Sequence, residues 1–71
     1  MGTTALVLEA IRNLGGKAKP FEICDYIAKK EGKRELTKVE KHHVWSAIYH
    51  LKRSKKLAYH GAATYVLWSD A

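Results

Sequence analysis

The chain has 71 residues and a formal net charge of +6, from 13 lysines and arginines against seven acidic residues. That length supports one small core and leaves little room for an enzyme cleft of about 300–1,000 Å³. The positive balance predicts attraction to phosphate backbones, membrane surfaces or acidic proteins. With Cys24 as the only cysteine no internal disulfide can form, and no apolar run approaches the roughly 20 residues of a membrane span. We expect one intracellular domain over residues 1–71 (nucleoid, cytoplasm or nucleus) that does not engage a membrane.

The first helix is predicted to begin at Thr3 or Thr4, because either hydroxyl can cap it. It is predicted to end at Gly15-Gly16, since glycine commonly follows a last apolar turn. Its apolar stripe has helical spacing: Val7, Ala10, Ile11 and Leu14. The short segment Lys17–Lys19 predicts a single extended bridge.

A second helix is predicted from Pro20, which suits the first helical position because its missing N–H has no partner there in any case. Its buried side is predicted to contain Phe21, Ile23, Cys24, Ile27 and Ala28. Gly32 ends this helix, and residues 33–36 form the turn into the third.

The third helix is predicted from about Thr37 to Ser54. Thr37 and Glu40 have the spacing of a capping box, in which hydroxyl and carboxylate each accept from a backbone N–H. Its buried stripe is Val44, Ala47, Ile48 and Leu51. With successive residues about 100° apart, the opposite face carries Lys38, His42, Ser46, Tyr49 and Arg53. That face has donors, aromatic rings and cations but no carboxylate.

A β-hairpin is predicted to follow, with strands over 57–60 and 64–68 and a turn at Gly61-Ala62-Ala63. The predicted cross-strand neighbours are Leu57 and Tyr59 opposite Tyr65 and Leu67. Acidic side chains are absent from Lys41 to Ser69. The same stretch holds five lysines and arginines: Lys41, Lys52, Arg53, Lys55 and Lys56.

Helix, short strand, helix, turn, helix and hairpin is the order of a winged helix-turn-helix. Residues 23–27 resemble the second helix of linker-histone globular domains, with its Ile-x-x-Tyr-Ile pattern. That family's core also matches at Val44, Ile48, Leu51, Leu57 and Tyr65-x-Leu67. Residues 19–23 are similar to the helix-two entry of HARE-type winged helices. The resemblance extends from about Thr4 to Trp68 and implies a mainly α fold that binds duplex DNA through the third helix and the wing.

We therefore expect double-stranded DNA as the partner, with the third helix in the major groove. The residues expected to face the groove are Lys38, His42, Ser46, Tyr49 and Arg53. Backbone contacts are expected from Lys52, Lys55, Lys56 and the wing that begins at His60. The wing turn itself carries no cation, which argues against deep insertion into the minor groove. The chain is expected to act as a monomer or weak dimer.

Two other functions stay open on the sequence. A protein-interaction winged helix would use Trp45, Tyr49 and Trp68 as aromatic anchors. Trp45 lies about 100° from the core centre, where it either packs under a neighbouring helix or serves as a platform for sugar or base. RNA or Z-form binding is the third hypothesis: residues 49–53, with Lys56 and Leu57, are similar to the third helix of winged helices that bind Z-form duplexes, and Tyr49 matches their key tyrosine. Trp45 replaces their asparagine and the wing lacks their proline pair, which argues against Z-form specificity.

Catalysis and metal binding are not expected. Cys24 lies on the predicted buried face of the second helix and reads as a small core residue. His42 and His43 point about 100° apart, while His43 and His50 are two turns, roughly 10 Å, apart. Neither pair suits tetrahedral zinc, whose ligands lie at about 2 Å. We therefore expect no cofactor and no metal.

Overall fold

The computed structural model describes residues 2–67. Its elements are α1 (Thr3–Asn13), β1 (Lys17–Ala18), α2 (Pro20–Lys30), α3 (Lys38–Arg53), β2 (Leu57–Tyr59) and β3 (Tyr65–Leu67). The strands form one antiparallel sheet in the order β1-β3-β2. The predicted fold class, mainly helical with a small antiparallel hairpin, is confirmed, and the order of elements is compatible with winged-helix topology.

The core lies where α1 packs against α2, α3 and the hairpin. Its largest fully buried side chains are Val7, Ile11, Ile23, Ile48 and Leu57. Burying each such side chain is worth about 1.5–3 kcal/mol. All four residues of the predicted α3 stripe are buried. This buried stripe fixes the rotation of α3 about its axis, and so decides which side chains point outward.

All three helices end in the same Schellman motif. The residue after the C-cap is left-handed in each case: Gly15 (φ 100°), Gly32 (φ 73°) and Lys55 (φ 60°). The next residue's N–H donates to the carbonyl five positions earlier, at 2.9, 2.8 and 2.9 Å respectively. The glycines confirm the predicted ends of α1 and α2. The third helix makes the same turn with a lysine.

The helix starts differ from one another. Thr37 is the N-cap of α3, as predicted: its Oγ1 accepts from the Glu40 N–H at 3.2 Å, and the Glu40 carboxylate accepts from the Thr37 N–H at 2.9 Å. The predicted cap of α1 is wrong. Gly2 is its N-cap residue, without a side-chain cap bond, because Thr3 and Thr4 are already within the helix.

The hairpin has the predicted register, with Leu57 opposite Leu67 and Tyr59 opposite Tyr65. Both strands are shorter than predicted, so that His60 and Thr64 belong to the connection. The predicted role of Trp68 falls outside the described residues. The predicted extended bridge is β1, in which Lys17 lies opposite Val66 of β3.

Two predicted core residues are exposed. Leu14 is 40% exposed because it is the C-cap of α1, where the chain turns away from the helical stripe. Phe21 is 64% exposed. It lies in the first turn of α2 at the edge of the apolar stripe, only about 20° around the helix from the buried Ala28, and no other element of residues 2–67 covers it there.

Candidate nucleic-acid interface

The scaffold of the candidate interface is α3, whose first turn is held by hydrogen bonds and an ion pair. Besides the Thr37 N–H, the Glu40 carboxylate accepts from the Lys33 ammonium of the preceding loop. Lys33 and the Thr37 N–H together lower the pKa of Glu40 to about 2. The first turn is thereby fixed against the loop before it, which orients the outward face.

All five residues of the predicted outward face are exposed, from Lys38 in the first turn of α3 to Arg53 in its last. Tyr49 is 63% exposed, although its ring is large enough to have packed. The Arg53 guanidinium lies over that ring, 5.8 Å from its centroid. This cation–π contact holds an arginine and a hydroxyl-bearing ring side by side near the C-terminal end of the face.

Three more cations lie at the same end of α3, one in its last turn and two in the residues that follow the helix. Lys52, Lys55 and Lys56 are all exposed. The Lys52 ammonium lies 5.4 Å from the centroid of the Tyr59 ring, which belongs to β2. Tyr59 in turn packs edge-on against Tyr65 at a centroid distance of 5.4 Å. A cation of the helix thus rests on an aromatic ring of the wing.

Tyr59 was not among the residues predicted for the candidate interface. A signal for it exists in the sequence, because alternation from the buried Leu57 puts Tyr59 on the α3 side of the hairpin. The Tyr59 hydroxyl also accepts from the Ala63 N–H at 3.3 Å. One aromatic side chain therefore links the end of α3 to the tip of the wing.

The wing turn is narrow and left-handed. Gly61, Ala62 and Ala63 all have positive φ, at 85°, 50° and 56°. The His60 N–H donates to the Thr64 carbonyl at 2.8 Å, and the Thr64 N–H donates to the Gly61 carbonyl at 2.9 Å. Positive φ at both central positions is the signature of a type I′ hairpin turn, which usually has Asn-Gly rather than Ala-Ala there.

His60 is not brought onto the α3 face. It lines a shallow groove with Gly15, Gly16, Lys17 and Val66, on the sheet surface that carries Val66 rather than Tyr59. The sheet places Lys17 in that groove because β1 pairs with β3. Lys17 was not predicted to lie beside His60, since pairing of β1 with the hairpin is a tertiary contact.

Ion pairing divides the basic residues into two groups. Lys30 pairs with Glu9, Lys33 with Glu31 and Glu40, and Lys41 with Glu35. Within residues 2–67, no carboxylate pairs with the other cations of α3 and its last turn: Lys38, Lys52, Arg53, Lys55 and Lys56. Five of the ten cations without a carboxylate partner in the described chain therefore lie on α3 or just after it, and the other five are spread over the first half of the chain: Arg12, Lys17, Lys19, Lys29 and Arg34.

Trp45 is not covered by a neighbouring helix. It is 51% exposed and lines a groove between α2 and α3, together with Phe21. The groove lies beside the outward face of α3 rather than on it, since Trp45 is about 100° from the core centre.

The other polar groups of the described chain do not converge. The rings of His42 and His43 are tilted at a centroid distance of 6.5 Å, and residues 2–67 hold no cluster of three potential metal ligands. Cys24 is buried, and that burial raises the pKa of its thiol. The Glu9 carboxylate accepts from Lys30 and from the Tyr26 hydroxyl, and the bond from Lys30 is the main cause of its lowered pKa.

The chain was compared with known proteins, and its helices were compared with the dimensions of a bilayer. No family model, curated protein or solved structure matches this chain. Across the described residues, none of the helices has the length and apolar character required to cross a bilayer.

Proposed function

We propose that this chain is a DNA-binding domain of the winged-helix type that places α3 in the major groove of duplex DNA. The observation that carries the proposal is the set of five cations along α3 and its last turn that are exposed and free of ion pairs within residues 2–67. Phosphates are the partners that such a surface attracts, because each cation that meets one releases condensed counterions.

The dimensions of α3 support this proposal. Its 16 residues span about 24 Å, and a helix with its side chains is about 10–12 Å across. The major groove is about 12 Å wide and admits one helix. With α3 in the groove, Ser46 and Tyr49 reach base edges or phosphates, and Arg53 lies beside them. Lys38 at one end and Lys52, Lys55 and Lys56 at the other meet the flanking backbones.

The wing gives this arrangement a second point of contact. Lys52 and Tyr59 connect it to the end of α3, so that the turn at 61–63 follows the helix onto the DNA. The turn has only small side chains, which suits close approach of its backbone N–H groups to a phosphate. His60 and Lys17 lie on the other surface of the sheet and contribute only to the long-range field.

The test is a fluorescence-anisotropy titration of a labelled random-sequence duplex at a series of salt concentrations. Contact through five cations predicts a slope of log affinity against log salt of about −4.5. Removing one of the cations, in Lys52→Ala or Lys56→Ala, is expected to reduce the magnitude of that slope by about 0.9. Lys29→Ala removes the same charge from the exposed side of α2 and serves as the matched control.

The proposal fails if the duplex does not bind at low salt, or if Lys29→Ala weakens binding as much as Lys52→Ala does. In the first case the protein-interaction hypothesis takes precedence. In the second the affinity reflects net charge and not the α3 face. Titration of an RNA duplex and of a Z-form duplex under the same conditions checks the remaining hypothesis, which requires either of them to bind more tightly than B-form DNA.

A further inference from the structure

A second surface, which includes none of the five unpaired cations of α3 and its C-terminal end, is formed where α2 meets α3. Phe21 and Trp45 are the walls of a groove of about 250 Å³, and both are more than half exposed. Its floor includes Cys24 and Leu36, which are buried. Its charged lining residues are two carboxylates, Asp25 and Glu35, and the Lys41 ammonium of α3. We call this surface the α2 groove.

The size of the groove fits one large side chain. An enclosed cavity of about 150 Å³ already accommodates a benzene molecule. A groove of about 250 Å³ with two aromatic walls therefore has room for a phenylalanine, tyrosine or leucine side chain. Single exposed apolar residues are ordinary, but two large rings facing one apolar floor are what an interface anchor requires.

The groove has a small net negative charge, because two carboxylates line it against the single ammonium of Lys41. Asp25 has no ion-pair partner within residues 2–67, and Glu35 has only Lys41 at 3.7 Å. A second groove of about 320 Å³ on the other side of Phe21 shares Asp25 and adds Glu22 and Lys29, so that carboxylates again outnumber the lysine. Carboxylates on both sides of the exposed ring repel a phosphate backbone and attract cations.

We propose that the α2 groove docks a segment of a partner protein in which one large apolar side chain is flanked by arginines or lysines. The apolar side chain enters between Phe21 and Trp45, and the flanking cations meet Asp25 and Glu35. This inference does not rest on the proposed DNA binding, because no residue of the groove belongs to the set assigned to DNA. Together the two surfaces make the domain an adaptor that holds a basic protein segment beside a duplex.

The probe is a short fluorescein-labelled peptide with a central phenylalanine between pairs of arginines. The whole chain carries +6, so a cationic peptide is attracted only if it finds a locally acidic site. Anisotropy gives its affinity, and nitrogen-15 NMR of the labelled chain identifies the amides it perturbs. Two companion peptides, with alanine for the phenylalanine or glutamate for the arginines, separate the apolar and ionic contributions.

The expected result is binding of the phenylalanine–arginine peptide with perturbation of the amides of Phe21, Asp25 and Leu36. Phe21→Ala is expected to weaken it about fivefold or more, which corresponds to the 1 kcal/mol that marks an important interface residue. Asp25→Asn is expected to weaken it and to flatten its salt dependence. Val39→Ala is the matched control, because Val39 is 63% exposed and lies outside the groove.

Three results would overturn the proposal. The first is equal binding of the peptide that has alanine in place of phenylalanine, and the second is equal or tighter binding of the glutamate peptide. The third is a duplex that perturbs the Phe21 and Asp25 amides, or a loss of DNA affinity in Phe21→Ala, since the groove would then belong to the nucleic-acid interface. Melting curves of Phe21→Ala and Asp25→Asn check that both variants fold as the parent does.

Discussion

Replacing Lys55 with glycine is expected to stabilise the fold and weaken DNA binding at the same time. Lys55 has φ 60° at the position that glycine occupies in the end motifs of α1 and α2. A side chain in that conformation destabilises the folded state by roughly 1–2 kcal/mol, and glycine removes this strain. Glycine also gives the unfolded chain more freedom, which offsets about 0.5–1 kcal/mol of the gain in stability. The net gain is about 0.5–1 kcal/mol, or a rise in melting temperature of roughly 2–8 °C for a domain of this size.

Two further variants separate conformation from charge. Lys55→Ala removes the same charge but keeps the left-handed side chain, so its stability is expected to stay within about 0.5 kcal/mol of the parent. Gly32→Ala makes the reverse change at the end of α2, where the added methyl group meets no atom within 4 Å. It is expected to lower stability by about 1 kcal/mol through backbone conformation alone.

Thermal melts followed by circular dichroism give the stabilities, and the duplex titration gives the affinities. Lys55→Gly and Lys55→Ala are expected to lose DNA affinity equally and to reduce the magnitude of the salt slope by about 0.9 each. If Lys55→Gly melts below the parent while Gly32→Ala loses the expected stability, then the strain assigned to Lys55 is wrong. If both Lys55 variants bind DNA as the parent does, Lys55 does not contact phosphate.

The core side, the first turn and the outward face of α3 can each be tested by substitution. Ile48→Ala is expected to lose about 2–5 kcal/mol of stability, whereas Arg53→Ala changes it by less than about 0.5 kcal/mol; equal losses in melts would mean that α3 is rotated differently. The pKa of Glu40 is lowered from 4.5 to about 2, so the ionised carboxylate stabilises the fold fully above pH 4.5 and this contribution is lost as the pH falls from 4.5 to about 2. The Glu40→Gln variant lacks this contribution and is therefore expected to lose less stability than the parent over that pH range, as measured by melts at a series of pH values. Tyr49→Ala is expected to weaken DNA binding by about 1–3 kcal/mol with an unchanged salt slope, and indistinguishable affinities in competition would count against insertion of α3.

Local signals in the sequence were enough to predict the order of elements. The capping box at Thr37 and Glu40 predicts the start of α3 because both bonds join residues three apart. Gly15 and Gly32 mark the ends of their helices because the left-handed conformation is a property of single residues. The hairpin register could also be predicted, since a turn of fixed length aligns the strands on either side of it.

The outward face of α3 could be predicted for the same reason. Helical geometry alone converts the buried stripe into an opposite exposed face, and all five residues predicted for that face, from Lys38 to Arg53, are exposed. Their assignment to DNA is still a prediction, because exposure does not reveal the ligand.

Tertiary contacts decided what the local pattern could not. Which lysines form ion pairs depends on carboxylates from other segments: Lys33 reaches Glu40 and Lys41 reaches Glu35, whereas the cations at the C-terminal end of α3 have no carboxylate partner within residues 2–67. Pairing of β1 with β3 put Lys17 beside His60, and packing of β2 against α3 put Tyr59 under Lys52. The exposure of Phe21 followed from the elements that pack against α2 and not from its own periodicity, because a residue at the edge of an apolar stripe is buried only if another element covers it.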